Sequence, residues 1–243
     1  MYVALTPALR QSPLMQPGDV ISHIEMCARE GKNLQHGMHF RIAPTHSVLL
    51  MSTRAGAPYA DSVLDDGRVL IYEGHDQPKL RTGPDPKTVD QPLWTEKGTL
   101  TQNGRFYMAA EAARNQEVPA ERVRVYEKVR SGIWVYNGVF RLVDAWQEES
   151  GGRHVCKFRL EATDEEVIEG SAPIDPDHNR VIPSDVKLEV WRRDGGKCRA
   201  CGSADNLHFD HIIPFSRGGS SILPENVQLL CARHNLEKRD RIE

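Results

Sequence analysis

The sequence predicts an α+β protein of two unequal parts, a larger β-rich N-terminal domain with flanking helices and a small C-terminal domain stapled by a metal. Three observations carry this expectation. Short apolar runs separated by turn residues fill most of the first 163 positions, one stretch of good helix formers interrupts them, and three cysteines and a histidine fall in two close pairs near the C-terminus.

The elements follow in order. HSVLLMST, GRVLIYEG, RVRVYEKV, GIWVYNGVFRLVDAW and HVCKFRLEAT are rich in β-branched and aromatic residues and are bounded by turn formers, so each predicts a strand. Trp134, Tyr136, Phe140 and Trp146, in strongly apolar company, are expected in the core. GHDQPKLRTGPDPKT predicts a long exposed loop, and FYMAAEAARNQE a helix that ends before Pro119. Residues 163–183 are acidic, carry prolines and show no sustained period, which predicts a linker. After it, SDVKLEVWRRDG has an N-cap signal at Ser184, Val186, Val190 and Trp191 at helical spacing, and a stop at Gly195 and Gly196. The expected division is therefore 1–162, an acidic linker over 163–183, and 184–243.

With 243 residues, both parts are long enough for a core, and a formal charge of −3 argues for no polyanionic partner by itself. The acids Asp164, Glu165, Glu166, Glu169, Asp175 and Asp177 lower the average from one stretch that holds no Lys or Arg. Elsewhere the bases gather, as Arg122, Arg124, Lys128, Arg130, Arg141, Arg153, Lys157 and Arg159, and again as Arg192, Arg193, Lys197, Arg199, Lys238, Arg239 and Arg241. Both groups are candidates to face phosphates, or are solvated surfaces. No apolar run approaches the ~20 residues of a membrane span, and the first residues lack the layout of a signal peptide, so a cytoplasmic protein without a membrane partner is expected. No phosphate-binding P-loop is present, and no NTP is expected.

The strongest local signal is Cys198-x-x-Cys201 followed by Cys231-x-x-His234, three thiolates and an imidazole. This is the ligand set of a closed, tetrahedral structural Zn²⁺ site, which would replace the core that so short a segment lacks. Between the pairs lie the adjacent Asp210 and His211, a Gly-Gly turn and Asn226. The run from Cys198 to Lys238 resembles the HNH nuclease family, with its ββα-metal hairpin; His234 stands where many relatives have the last zinc cysteine. The resemblance implies that His211 activates the attacking water and that Asp210 and Asn235 hold one Mg²⁺ or Mn²⁺. It also implies that Asn226 ties the catalytic loop together. Near-neutral titration suits His211 to proton abstraction, and oxygen ligands suit a hard cation. His208, two residues before Asp210 on the same strand face, is a candidate supporting group or further ligand. Lys238 and Arg239 are either phosphate contacts or an exposed helix end.

The N-terminal run PYADSVLDDGRVLIYEG, with the later strands, resembles the SRA domain, also called YDG, over residues 14–162; Tyr136-Asn137-Gly138 departs from the family's Tyr-Asp-Gly. The resemblance implies a twisted, barrel-like sheet that extrudes a modified cytosine from double-stranded DNA. It implies that Tyr59 and Tyr72 sandwich the base while Asp61 accepts a hydrogen bond from its exocyclic amine, with Ser62, Asp65 and Asp66 as alternatives at that edge. Together the two resemblances imply a modification-dependent endonuclease for 5-methylcytosine or 5-hydroxymethylcytosine, working as a homodimer so that two sites cut two strands. The rival readings are an HNH nuclease of mobile-element or repair type that reads unmodified sequence or branched structure, and a catalytically silent modified-DNA binding protein.

Overall fold

The computed structural model describes residues 15–79, 81–163, 181–214 and 217–238. Two sheets organise them. The larger orders its strands β2 (Met38–Ala43), β3 (His46–Met51), β6 (Glu121–Arg130), β7 (Ile133–Ser150), β8 (Arg153–Ala162), β5 (Val69–Glu73) and β4 (Ser62–Leu64), with β1 (Val20–Ile21) paired to β7. Pairing is antiparallel except between β3 and β6, where Leu49 lies opposite Val125. The smaller sheet is the hairpin β9 (Leu207–His211) and β10 (Val227–Cys231). Four α-helices flank them: α1 (His23–Glu30), α2 (Gln102–Arg114), α3 (Ser184–Arg193) and α4 (Ala232–Lys238). No helix among the described residues is long and apolar enough to cross a membrane.

The five strand-like runs are β3, β5, β6, β7 and β8, and the predicted first helix is α2, capped where Thr101 Oγ1 accepts from Gly104 N at 3.0 Å. That helix presses Phe106 onto the sheet, edge-on to Phe40 at 5.3 Å and to Phe158 at 6.0 Å. Burying one such ring is worth roughly 1.5–3 kcal/mol, so this contact anchors the larger core. The helix α1, capped by Ser22 and ending at Gly31, was not legible as an element; it is pinned to the sheet by Glu30, which meets His46 at 2.8 Å and Arg124 at 3.1 Å.

Several expectations are corrected by packing. Trp146 is only half-buried, because a bulge between Leu142 and Asp144 shifts the inward set from Phe140 and Leu142 to Ala145 and turns Trp146 outward, its indole N–H on Glu148. Trp134 is also half-buried and lines a cavity, whereas Tyr136 and Phe140 are core residues as expected. Ser184 is not the N-cap of α3: Pro183 is, and the Ser184 hydroxyl donates to Glu127 instead. Arg124, Arg153 and Lys157 do not face phosphate, being held by Glu30, by Asp76 at 2.6 Å and by Glu73 at 3.0 Å. The acidic segment lies, from 164 to 180, outside the described residues.

The two parts share a core. Val129 and Val135, at the turn of β6 and β7, pack with Val186 and Val190 of α3 and with Phe209 of β9. Beside this contact Phe209 N donates to Gly18 O at 3.1 Å. Gly18, at φ 100°, must be glycine there, since a Cβ would stand 2.6 Å from Phe209 O.

Candidate functional site

A cavity of about 1030 Å³ opens in the larger sheet domain, at the upper end of the range that holds small ligands, roughly 300–1,000 Å³. Its wall includes Met51, Tyr59, His75 and Trp134, and its charges are mixed, with Arg54, Lys79, Lys87 and Lys128 set among Asp61, Asp76 and Asp85 and Lys87 paired to Asp76 at 2.8 Å. The expected exposed loop contributes to this wall: Asp85 caps the short turn Pro86–Thr88 and sets Lys87 with its ammonium 4.1 Å from the centre of the Tyr59 ring. The other partner of that ring is His75, stacked at 5.0 Å and 16°.

Tyr72 does not line the cavity. It is 3% exposed within the core, and its hydroxyl lies 3.0 Å from His75 Nε2. His75 therefore stands against both tyrosines, its main chain fixed by two hydrogen bonds with the Asn103 amide. Burial pushes its imidazole down to about 4, so it is neutral near pH 7. Sequence reasoning missed His75, whose only signal was its place just beyond Tyr72-Glu73-Gly74.

Asp61 lines the cavity, while Ser62 and Asp65 do not, and nothing is described of the Asp66 side chain. The two Asp61 oxygens accept from Ser52 N and Glu73 N, each at 3.0 Å. Burial pushes this carboxyl up to about 7, against the pull of those two N–H groups. The folded protein thus keeps the proton to higher pH than the unfolded chain, and stability is lost as pH rises from about 3.8 to about 7. Asp61→Asn is expected to flatten that slope in denaturant titrations between pH 4 and 8; identical slopes for both proteins would refute the burial of this carboxyl.

The hairpin builds the second site. Cross-strand register sets Asp210 opposite Gln228, whose amide donates to Asp210 Oδ2 at 3.3 Å. His211 Nε2 lies 2.9 Å from the hydroxyl of the buried Ser221. The Asn226 side chain is spent on backbone, accepting from Ile213 N at 2.8 Å and donating to Ile213 O at 3.0 Å and Ser220 O at 3.1 Å. Gly219 completes the loop, since a Cβ there would meet Ile213 O at 1.8 Å. Asn235 is buried on α4, which packs against β9. His208 is buried where the two parts meet, its Nδ1 2.8 Å from Asp19 Oδ1. Gln228 escaped sequence reasoning because hairpin register chooses its partner, and Ser221 because the fold of the connecting loop chooses its own. Lys238 is neither an exposed helix end nor solvated: it is buried, with Nζ 3.1 Å from Asp210 Oδ2 and donating to His211 O at 2.7 Å.

Cys198, Cys201, Cys231 and His234 converge as predicted, with all donor atoms within 4.8 Å of one another. His234 Nδ1 lies 3.4 Å from Cys198 Sγ and 3.3 Å from Cys231 Sγ, and the Cys201–Cys231 sulfur pair is 3.9 Å apart. Zn–S bonds of ~2.3 Å at tetrahedral angles require sulfur edges of about 3.8 Å, so these three edges are close to those of a tetrahedral zinc site and the donor set fits that ion. Burial raises the Cys198 thiol, but N–H groups of Cys231, Cys201 and Ala200 and the His234 ring outweigh it and bring the group to about 6, toward the thiolate a metal needs.

A β-sheet domain with an aromatic-lined cavity, packed on a hairpin that carries an Asp-His pair and a Cys/His cluster, is the architecture of an SRA–HNH fusion, and the family matches agree. Residues 14–166 match the SAD/SRA domain family and residues 198–241 the HNH endonuclease family, and the chain belongs to the SAD/SRA domain family. No curated protein matches the chain. Among solved structures, it is similar to the SUVH5 SRA domain in complex with methylated CHH DNA, at 20% identity over 67% of this chain and 95% of that one, with a TM-score of 0.43. It is also similar to SUVH5 SRA bound to fully hydroxymethylated CG DNA, at 20% identity over 72% and 99%, with a TM-score of 0.41. A third is Arabidopsis thaliana SUVH6 in complex with SAM, at 20% identity over 73% and 29%, with a TM-score of 0.42.

Proposed function

We propose that this protein is a modification-dependent DNA endonuclease that extrudes 5-methylcytosine or 5-hydroxymethylcytosine from the duplex and hydrolyses a nearby phosphodiester. The observation that carries the reading is the joining of a nucleotide-sized cavity, lined by aromatic rings and edge-directed polar groups, to an Asp-His hairpin through one buried core. A tethered nuclease needs no such core; a nuclease aimed from a bound base does.

In this reading residues 1–162 are the reader and 184–243 the nuclease, with the acidic 163–183 between them. Tyr59, backed by His75, offers a stacking face once the Lys87 ammonium over its ring is displaced by the base, and Asp61 accepts from the exocyclic amine. Tyr72 acts from behind, through its hydroxyl on His75. In the nuclease, His211 takes the proton of the attacking water, and Ser221 fixes the ring that does so. Asp210 and Asn235 would hold one Mg²⁺ or Mn²⁺, which would supply Lewis-acid stabilisation of the charge that develops during phosphodiester hydrolysis. Asn226 holds the loop between His211 and Ser221 through its three backbone bonds. Zinc, on the three cysteines and His234, is structural. A homodimer presents one centre to each strand.

The test is digestion of matched duplex oligonucleotides bearing cytosine, 5-methylcytosine or 5-hydroxymethylcytosine, with Mg²⁺ or Mn²⁺. Wild type is expected to cut the modified duplexes only, and His211→Ala to lose about 10²–10⁴-fold in rate, the range for a general base, with its zinc retained. Equal cutting of unmodified DNA removes the reader assignment. Full activity in the variant removes the assigned base.

A further inference from the structure

We infer that Lys238 is a positioning residue of the nuclease centre, locking the Asp210 carboxylate and the His211 main chain into one geometry from inside the core. The inference rests on the assignment of Asp210 and His211 above, and it separates Lys238 from the phosphate-contacting role that its charge suggests.

The geometry is specific. The side chain is 1% exposed, and its ammonium sits between Asp210 Oδ2 at 3.1 Å and His211 O at 2.7 Å. A buried ammonium persists only where charge and hydrogen bonds compensate for lost water, so this one is committed to those two oxygens. Gln228 donates to the same Asp210 oxygen. The ion pair from Lys238 and the hydrogen bond from Gln228 thus both fall on Oδ2, which holds the carboxylate in one rotamer and leaves Oδ1 for a hard cation.

The position of Lys238 in the chain explains what sets that lock. Helix α4 starts at Ala232, directly after Cys231, and carries both His234 and Lys238, four residues apart and so on one face. The zinc ligands anchor the first turn of the helix, and the next turn delivers the ammonium to the hairpin. The structural metal would thus reach the reacting residues through Lys238, although it touches neither of them.

The experiment uses the full chain, with Lys238→Met, Lys238→Arg and His211→Ala measured in parallel. Zinc content, melting temperature, Mn²⁺ affinity in the absence of DNA, and single-turnover kcat and KM on the modified duplex are the readouts. Lys238→Met is expected to keep its zinc and bind Mn²⁺ at least as tightly as wild type, because a neighbouring positive charge has been removed. Its kcat should fall by about 10–100-fold, the range for groups that orient metal ligands, with KM unchanged, and Lys238→Arg should recover part of the loss. A raised KM with unchanged kcat overturns the inference in favour of a phosphate contact, and wild-type kcat and KM in Lys238→Met overturn it outright. Should Lys238→Met lose its zinc or its fold, Lys238→Arg decides: a lowered kcat with zinc intact supports positioning, and wild-type kcat overturns it. Failure of the underlying assignment is read separately, as activity in His211→Ala.

Discussion

Stripping the metal proposed for the Cys/His cluster is expected to unfold the hairpin part and abolish the proposed cleavage, while the larger sheet domain keeps its fold and the DNA binding proposed for it. His234 lies 3.3–3.4 Å from the Cys231 and Cys198 sulfurs, and the Cys201 and Cys231 sulfurs are 3.9 Å apart, a spacing that leaves thiolates facing one another without a cation. The apolar core above them is small, with Leu229, Leu230 and Phe209 its main contributors beside the docked helix. Structural zinc contributes on the order of 10–16 kcal/mol in isolated zinc-finger peptides, far more than such a core can replace. Docking onto Val129 and Val135 offsets part of the loss, so the effect here is expected at several kcal/mol rather than the full figure. Calorimetry before and after chelation should show the loss of one transition, and Mg²⁺ added back alone should restore no cleavage, whereas Zn²⁺ with Mg²⁺ should. Cysteine variants at 198 or 231 should behave like the stripped protein. Unchanged melting and cleavage in zinc-free protein would dismiss the structural role of the cluster.

Breaking the ion pair at the junction is the second large effect. Lys187 is 1% exposed and Glu127 fully buried; the ammonium donates to Glu127 and, at 2.7 Å, to Asn137 Oδ1, while the Asn137 amide donates to Glu127 Oε2 at 3.0 Å. Burial pulls the Lys187 amine below its usual range, against the attraction of Glu127. Lys187→Met leaves that carboxylate buried without a cation, which costs about 3–5 kcal/mol. The double variant Lys187→Met, Glu127→Leu should recover most of the loss, since an apolar pair of similar volume is often neutral. Urea midpoints for the two single variants and the double one measure the coupling; additive effects would show that the pair does not interact. The same cluster explains the family departure at Tyr136-Asn137-Gly138. An aspartate at 137 would set a second carboxylate 3.0 Å from Glu127 with one ammonium for both, whereas the amide donates to one partner and accepts from the other. Asn137→Asp should therefore be destabilising in the same assay, and more so as pH rises.

Much of this protein is legible in order of residues alone. The runs that became β3, β5, β6, β7 and β8 announce themselves by β-branched and aromatic content, and α2 and α3 by spacing, because those signals are local and repeat along the chain. The metal cluster was legible for a related reason: two residues between ligands is a geometric requirement of one tight turn, so it survives in sequence as a spacing. Short elements such as β1, β4 and α1 were not, being two to eight residues whose formation depends on what they pack against.

Sequence by itself determined the types of the longer elements, the four convergent metal donors and the adjacency of Asp210 with His211. Only the tertiary structure decided that His75 rather than Tyr72 meets the Tyr59 ring, that Lys238 is buried against Asp210, and that Lys187 locks the two parts together. The reason is physical. A side chain's burial and charge partner are set by residues tens of positions away, 60 between Lys187 and Glu127, and the energy of a buried charge depends on that partner rather than on the residue type that the sequence displays.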